Sequence, residues 1–230
     1  MSEILVRGIG LRKHFAQGTS ELEILRGVDI DVKAGESIGI VGSSGAGKST
    51  LLHILGTLDR PNEGELYFGE TNVMELSDEE VAKLRNREMG FVFQFHHLLA
   101  EFTAVENVMI PSRIAGDSKA SAKIKALELL DMLGLAARAD HFPNELSGGE
   151  LQRVAIARAL VRRPRLAKFA DHPEPLFPFE GKIRTDVNRR DARFAVRAKV
   201  HADVANRGRE VRRNPVSLRL TRLHRRRTGL

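Results

Sequence analysis

The chain has no cysteine among its 230 residues, which excludes a disulfide framework, a thiolate zinc site and a cysteine nucleophile together and suits a reducing compartment. It has no uninterrupted apolar stretch near the roughly 20 residues that a bilayer-spanning helix needs. Residues 1–10 carry neither the basic leader nor the apolar centre of a secretory signal. These absences set the expectation of a soluble cytoplasmic protein, large enough for one ordinary domain or a domain with a lobe.

Acidic residues are scarce at one end only. Residues 1–160 carry 17 Lys and Arg against 23 Asp and Glu, a net charge of −6, whereas residues 161–230 carry 20 against 7, a net of +13. The basic character of the whole chain therefore belongs to its last 70 residues, and a break so abrupt needs its own explanation.

What the chain does have is a phosphate-binding pattern in the right setting. The short apolar run Ser37-Ile38-Gly39-Ile40-Val41 reads as a buried strand. Gly42-Ser43-Ser44-Gly45-Ala46-Gly47-Lys48-Ser49-Thr50 follows it, and Leu51, Leu52, Ile54 and Leu55 then recur at helical spacing. Glycines at 42, 45 and 47 permit positive φ and close backbone approach, so that successive N–H groups can face a polyphosphate at the positive end of the helix. Lys48 would reach the β- and γ-phosphates, and Ser49 would offer its hydroxyl to Mg²⁺. The pattern specifies nucleoside triphosphate binding without saying what uses it.

A second pattern lies at Leu146-Ser147-Gly148-Gly149-Glu150. Ser147 reads as an N-cap and Glu150 completes a capping box for a helix whose packed face includes Val154, Ile156, Ala157 and Leu160. A capping box alone does not explain Gly148 and Gly149, each of which lowers helix propensity by about 1 kcal/mol. Two glycines there bring backbone donors close to something, and a helix N-terminus favours an anion.

With both patterns in place, residues 1–165 resemble the nucleotide-binding domain of ABC transporters. The resemblance implies an α/β P-loop NTPase fold of RecA-like type, with a β-rich N-terminal subdomain and a helical subdomain inserted at about residues 95–150. It implies that ATP is held between two subunits, with Ser147, Gly148, Gly149 and Glu150 of one facing the γ-phosphate on the other's P-loop, beneath integral membrane permease subunits. Phe91-Val92-Phe93-Gln94 resembles the strand leading to the family's Q-loop, which would place Gln94 at Mg²⁺ and the attacking water. Phe15 lies where the family stacks an aromatic ring on adenine, although a core phenylalanine is a competing reading.

The segment from Gly90 to Val108, with Gln94-Phe95-His96-His97-Leu98-Leu99, closely resembles the ATPases of bacterial lipoprotein-releasing systems, which act at the cytoplasmic face of the inner membrane. The relatives that serve macrolide export or cell division generally differ at the positions of Phe95 and His96. His96 and His97 are adjacent and point apart, so they read as interface residues and not as a metal pair. Phe95, Leu98, Leu99 and Phe102 are either the floor of a groove for a helix of the membrane subunit or the helical lobe's own core.

Elsewhere the sequence predicts short strands over residues 1–41 with turns at Gly18, Gly27 and Gly35, and a strand over residues 65–68. It predicts helices over about 77–87, opened by a Ser77–Glu80 capping box, and 120–133, stopped by Gly134.

Beyond Leu166 the resemblance fails. The family has a hydrophobic strand ending in Asp-Glu-Pro and, later, a switch histidine. Here Ala167-Lys168-Phe169-Ala170-Asp171-His172-Pro173 follows, so Asp171 can be laid on the Mg²⁺-orienting aspartate only with about one extra residue, and His172 then stands in the place of the catalytic glutamate. Lys168 interrupts what should be a buried strand. His201 and His224 lie in arginine-rich surroundings and read as solvated. Residues 166–230 are expected to be irregular or disordered. They are either a basic tail for nucleic acid or anionic lipid, or sequence foreign to the family, for example translated out of frame after about Leu166. The missing strand and helix periodicities and the lack of any nucleic-acid motif favour the second.

Overall fold

The computed structural model describes residues 3–172 except Thr19, Ser37, Ser44 and Gln94, together with residues 197–199 and 219–222; of Gln17, Val41 and residues 169–172, 197–199 and 219–222 it describes the backbone alone. The chain divides into two compact units, one built chiefly from residues 1–74 and the other from residues 75–170.

The first unit is a twisted antiparallel sheet beside a strand, loop and helix. Strands β1 (Ile4–Gln17) and β2 (Ser20–Lys33) form a long hairpin, and β4 (Glu63–Phe68) and β5 (Thr71–Asn72) extend it in the order β2-β1-β4-β5. Alternation along the strands buries Leu5, Leu11, Leu25, Ile30, Val32, Leu66 and Phe68 and leaves the intervening charged residues outside. Only two strands occupy residues 4–33, where several short ones are expected. Gly18 and Gly35 make turns, but Gly27 does not. Leu11 pairs with Val28 and Arg12 with Arg26, which leaves Gly27 as the extra residue of a β-bulge at φ +84°. Strand β3 (Ile38–Val41) leads through the glycine-rich loop into α1 (Lys48–Leu55), whose Leu51, Leu52, Ile54 and Leu55 are buried. Arg219–Arg222 lies antiparallel to β3, with Leu220 opposite Ile40.

The second unit is helical around one short parallel pair of strands. It holds α2 (Asp78–Glu88), β6 (Met89–Val92), α3 (Ala104–Ile114), α4 (Lys119–Met132), α5 (Gly148–Leu160) and β7 (Leu166–His172). Small residues let its helices close on one another. Ala104, Ala122, Ala126, Ala155 and Ala157 join Val105, Val108, Leu130, Leu135 and Val154 in one buried cluster shared by α3, α4 and α5. Gly90 of β6 permits a further close approach, because a Cβ there would lie 2.3 Å from the carbonyl oxygen of Ala159. The helices expected over 77–87 and 120–133 are present, within one residue at each end.

Strand β7 runs parallel to β6 and places Lys168 opposite Phe91. The strand continues through Lys168, contrary to the expected interruption, and buries the side chain to 4% exposure with its ammonium 5.8 Å from the Phe91 ring centroid. Besides β7, Arg197–Lys199 and Arg219–Arg222 are strands within the stretch expected to be irregular; the rest of residues 173–230, including His201 and His224, lies outside the described residues.

Candidate nucleotide-binding site

The glycine-rich loop takes a left-handed backbone at two of its three expected glycines, and Gly42 is not one of them. Gly45 and Gly47 adopt φ +77° and +82°, the left-handed region open to glycine. At Gly47 sterics add a second demand, since a Cβ would stand 2.9 Å from Ile24 Cγ2 and 3.0 Å from Leu25 Cδ2 of β2. Gly47 is also the N-cap of α1, with no side chain over the helix end and no acidic residue in the first turn. The amide groups there stay available to an anion. Lys48 Nζ curls back over the loop and donates to the carbonyl oxygens of Gly42 and Ser43, at 3.0 and 2.7 Å. Ser43 and Ser49 are exposed, Gly42 and Thr50 half-buried and Ala46 buried; Ser44 lies outside the described residues. Lys48 and the helix start at Gly47 together make the loop basic and rich in N–H donors.

Phe15 is 44% exposed on β1, with Lys13 Nζ 5.2 Å from its ring centroid. The core-phenylalanine reading is thereby corrected, because this ring is not packed inside.

In the second unit the helix-start pattern forms as expected. Glu150 N donates to Ser147 Oγ at 3.4 Å, while Glu150 Oε2 accepts from Ser147 N at 2.8 Å. Arg138 Nε lies 3.2 Å from Glu150 Oε1. The Ser147 backbone N–H, then its hydroxyl, and to a lesser degree Arg138 and Arg153 hold the Glu150 carboxyl below its ordinary value. Ser147, Gly148 and Gly149 are exposed. A Cβ at Gly148 would meet nothing within 4 Å, and one at Gly149 only the Arg153 guanidinium at 3.6 Å. The chain's own packing thus makes no demand for glycine at either place, and the propensity cost is left for an approaching molecule to justify.

The loop after β6 is held by two side chains that the sequence reading passes over. Arg158 of α5 donates from Nη1 to His97 O and from Nη2 to His96 O, both at 2.6 Å. Burial pushes its guanidinium below the ordinary arginine value. His96 and His97 have φ of +59° and +47°, a left-handed backbone that costs a residue with a Cβ roughly 1–2 kcal/mol. Asn107 of α3, fully buried, accepts Leu99 N at 2.8 Å and directs Nδ2 at the carbonyl oxygens of Leu99, Phe102 and Thr103, at 3.0, 2.9 and 3.1 Å. A sequence signal for the second anchor exists in the Thr103–Glu106 capping box that opens α3. Of the apolar residues in this loop, Phe95, Leu99 and Phe102 are exposed at 76%, 45% and 41%, while Leu98 packs on the helical cluster. Leu98 thus follows the core reading, whereas Phe95, Leu99 and Phe102 lie outside the core. Gln94 lies outside the described residues, and Asp171 and His172 are described only as backbone at the end of β7.

Comparison with known proteins agrees with this geometry. A family model described as ABC transporter matches residues 25–173. The lipoprotein-releasing system ATP-binding protein LolD of Bdellovibrio bacteriovorus is 62% identical over 168 residues, covering 73% of this chain and 76% of that protein. LolD of Saccharophagus degradans is 54% identical over 164 residues, covering 71% and 72%. Among solved structures, the ATP-binding cassette MJ0796, a dimer in a post-hydrolysis state bound to ADP and Pi, is 40% identical with a TM-score of 0.67, covering 71% of this chain and 72% of that one. With a nucleotide cradle, an exposed diglycine helix start and these likenesses together, the chain belongs to the ABC transporter family of ATP-binding ATPase subunits.

Proposed function

We propose that this chain is the ATP-binding subunit of a lipoprotein-releasing exporter, seated at the cytoplasmic face of a bacterial inner membrane against integral permease subunits and paired head to tail with a second ATP-binding subunit. The observation that carries the reading is the 62% identity to a LolD protein over 168 residues, beside a match to the ABC transporter model over residues 25–173, which contain the P-loop, the loop after Gln94 and the diglycine helix start. Residues 42–50 grip the triphosphate, with Lys48 exchanging its two carbonyl partners for the β- and γ-phosphates. Phe15 offers an exposed ring for adenine. Ser147, Gly148, Gly149 and Glu150 close over the nucleotide of the partner subunit.

Ser49 and Gln94 supply neutral oxygen donors that suit Mg²⁺, which leaves most of its coordination to phosphate and water; when bound, the ion neutralises charge on the β- and γ-oxygens. Asp171 is the one carboxylate of β7 available to orient it. Because His172 stands where a carboxylate would polarise the attacking water, the chain binds ATP but turns it over slowly.

The altered C-terminal part fits a domain layout of 1–165 for the ATP-binding domain and 166–230 for a segment foreign to it. The matched stretches leave about a quarter of each LolD protein uncovered, and the ABC transporter model stops at residue 173 of this chain's 230. If translation leaves the family's frame near Leu166, another frame of the gene just after the Pro164 codon encodes a hydrophobic strand ending in Asp-Glu-Pro. Finding no such strand in either frame removes this account and returns residues 166–230 to the status of a basic tail.

Titrating the full chain with a fluorescent ATP analogue and magnesium tests the central reading. Saturable binding is expected, weakened at least roughly tenfold by Lys48→Ala, as the loss of a charge-assisted phosphate contact requires. A well-folded chain without such binding would sink the assignment. Co-purification with the permease pair of a lipoprotein-releasing system, in preference to that of a macrolide exporter or a cell-division complex, tests the choice of transporter.

A further inference from the structure

The polar group the proposed chemistry leaves unused is the guanidinium of Arg158. It sits one turn after Val154 on the helix that starts at the diglycine, and it reaches away from α5 to bond two consecutive backbone carbonyls of another segment. Those carbonyls belong to the two residues of the loop in a left-handed backbone. The local bonds do not explain that conformation. His97 N donates to Phe95 O at 2.6 Å and His96 N to Phe93 O at 3.1 Å, which tightens the turn but leaves the carbonyls of 96 and 97 aimed outward. A forked donor at the right distance turns this arrangement into a minimum, because one guanidinium satisfies both acceptors with charge-assisted bonds. Asn107 holds the far end of the same loop, from Leu99 to Thr103, through four contacts of a buried amide.

We propose that Arg158 is a positioning residue that fixes the shape of the loop following Gln94 and ties it to the diglycine helix, with Asn107 as the second anchor. The loop is thereby a preset arm and not a flexible connection. Phe95, Leu99 and Phe102 keep their outward placement because the backbone between them is held at both ends. The inference builds on the reading of this loop as the one that begins at a Mg²⁺-facing glutamine. Exchange measured without nucleotide reads the clamp alone, so its failure is distinct from a failure of ATP binding.

Amide hydrogen exchange on the nucleotide-free full chain, resolved over residues 95–99, tests it. Arg158→Gln is expected to accelerate exchange at 95–98 by roughly tenfold or more, since two charge-assisted bonds are lost, while α4 (Lys119–Met132) changes less than about twofold. Arg158→Lys, which keeps the charge and one donor direction, recovers part of the protection and guards against a folding failure in the first variant. Asn107→Ser accelerates residues 99–103 more than 95–98. Wild-type exchange at 95–98 in Arg158→Gln overturns the proposal, and so does acceleration spread evenly over residues 75–168 in both arginine variants.

Discussion

At the residue scale, glycines that look alike in sequence serve different physical demands, and substitution separates them. Gly47 is left-handed and pressed against Ile24 and Leu25, so Gly47→Ala combines backbone strain with overlap and is expected to cost about 1–3 kcal/mol of stability while weakening nucleotide binding. Gly148 faces open space within a helix, so Gly148→Ala is expected to raise stability by up to about 1 kcal/mol. If the diglycine closes over a partner's nucleotide, the same change abolishes MgATP-dependent dimerisation. Thermal melts and size exclusion with and without MgATP check both, and unchanged dimerisation in Gly148→Ala counts against the role given to that helix start. The P-loop was legible residue by residue because each of its types answers a local requirement. Arg158 was not, since its partners lie about 60 positions away and sequence spacing says nothing of such a bond.

At the scale of elements, the capping boxes make part of the stability depend on ionised carboxylates. The Ser77 hydroxyl lowers the pKa of Glu80, and the Ser147 backbone N–H lowers that of Glu150. A folded-state pKa below the unfolded value gives stability that is present above the ordinary carboxylate range and is lost as pH falls through the folded value. Melting temperature is therefore expected to hold from about pH 7 down to the usual carboxylate range and to fall below it. Ser147→Ala should cost about 1 kcal/mol at neutral pH and flatten part of the acid limb. An acid limb identical to that of the parent chain would show that this box contributes nothing. These two boxes were readable beforehand, and the equivalent Thr103–Glu106 box opens α3, which the sequence reading leaves unassigned. Pro111 inside that helix argues against a helical reading, and the apolar residues before it draw notice as a surface. Gly27 likewise signals a break without saying whether the chain turns or bulges there, because φ > 0 serves both.

At the scale of the whole molecule, composition and burial conflict at β7, inside the stretch that the ABC transporter model matches. A lysine buried in a parallel strand opposite a phenylalanine is poorly matched to its surroundings, and Lys168→Val is expected to raise stability by roughly 1–3 kcal/mol. Chemical denaturation measures this directly, and a loss of stability would mean that the ammonium contributes more through its contacts than its burial costs. The charge step between residues 1–160 and 161–230 was visible in composition alone, whereas the persistence of strand geometry through Lys168 was not, because pairing with β6 outweighs local preference. A practical use follows from the way Gly47 rests on β2. A chain with no native thiol accepts a single engineered one, so a dye attached through Glu21→Cys near the hairpin tip would sense, through the floor beneath the loop, whether a phosphate chain occupies it.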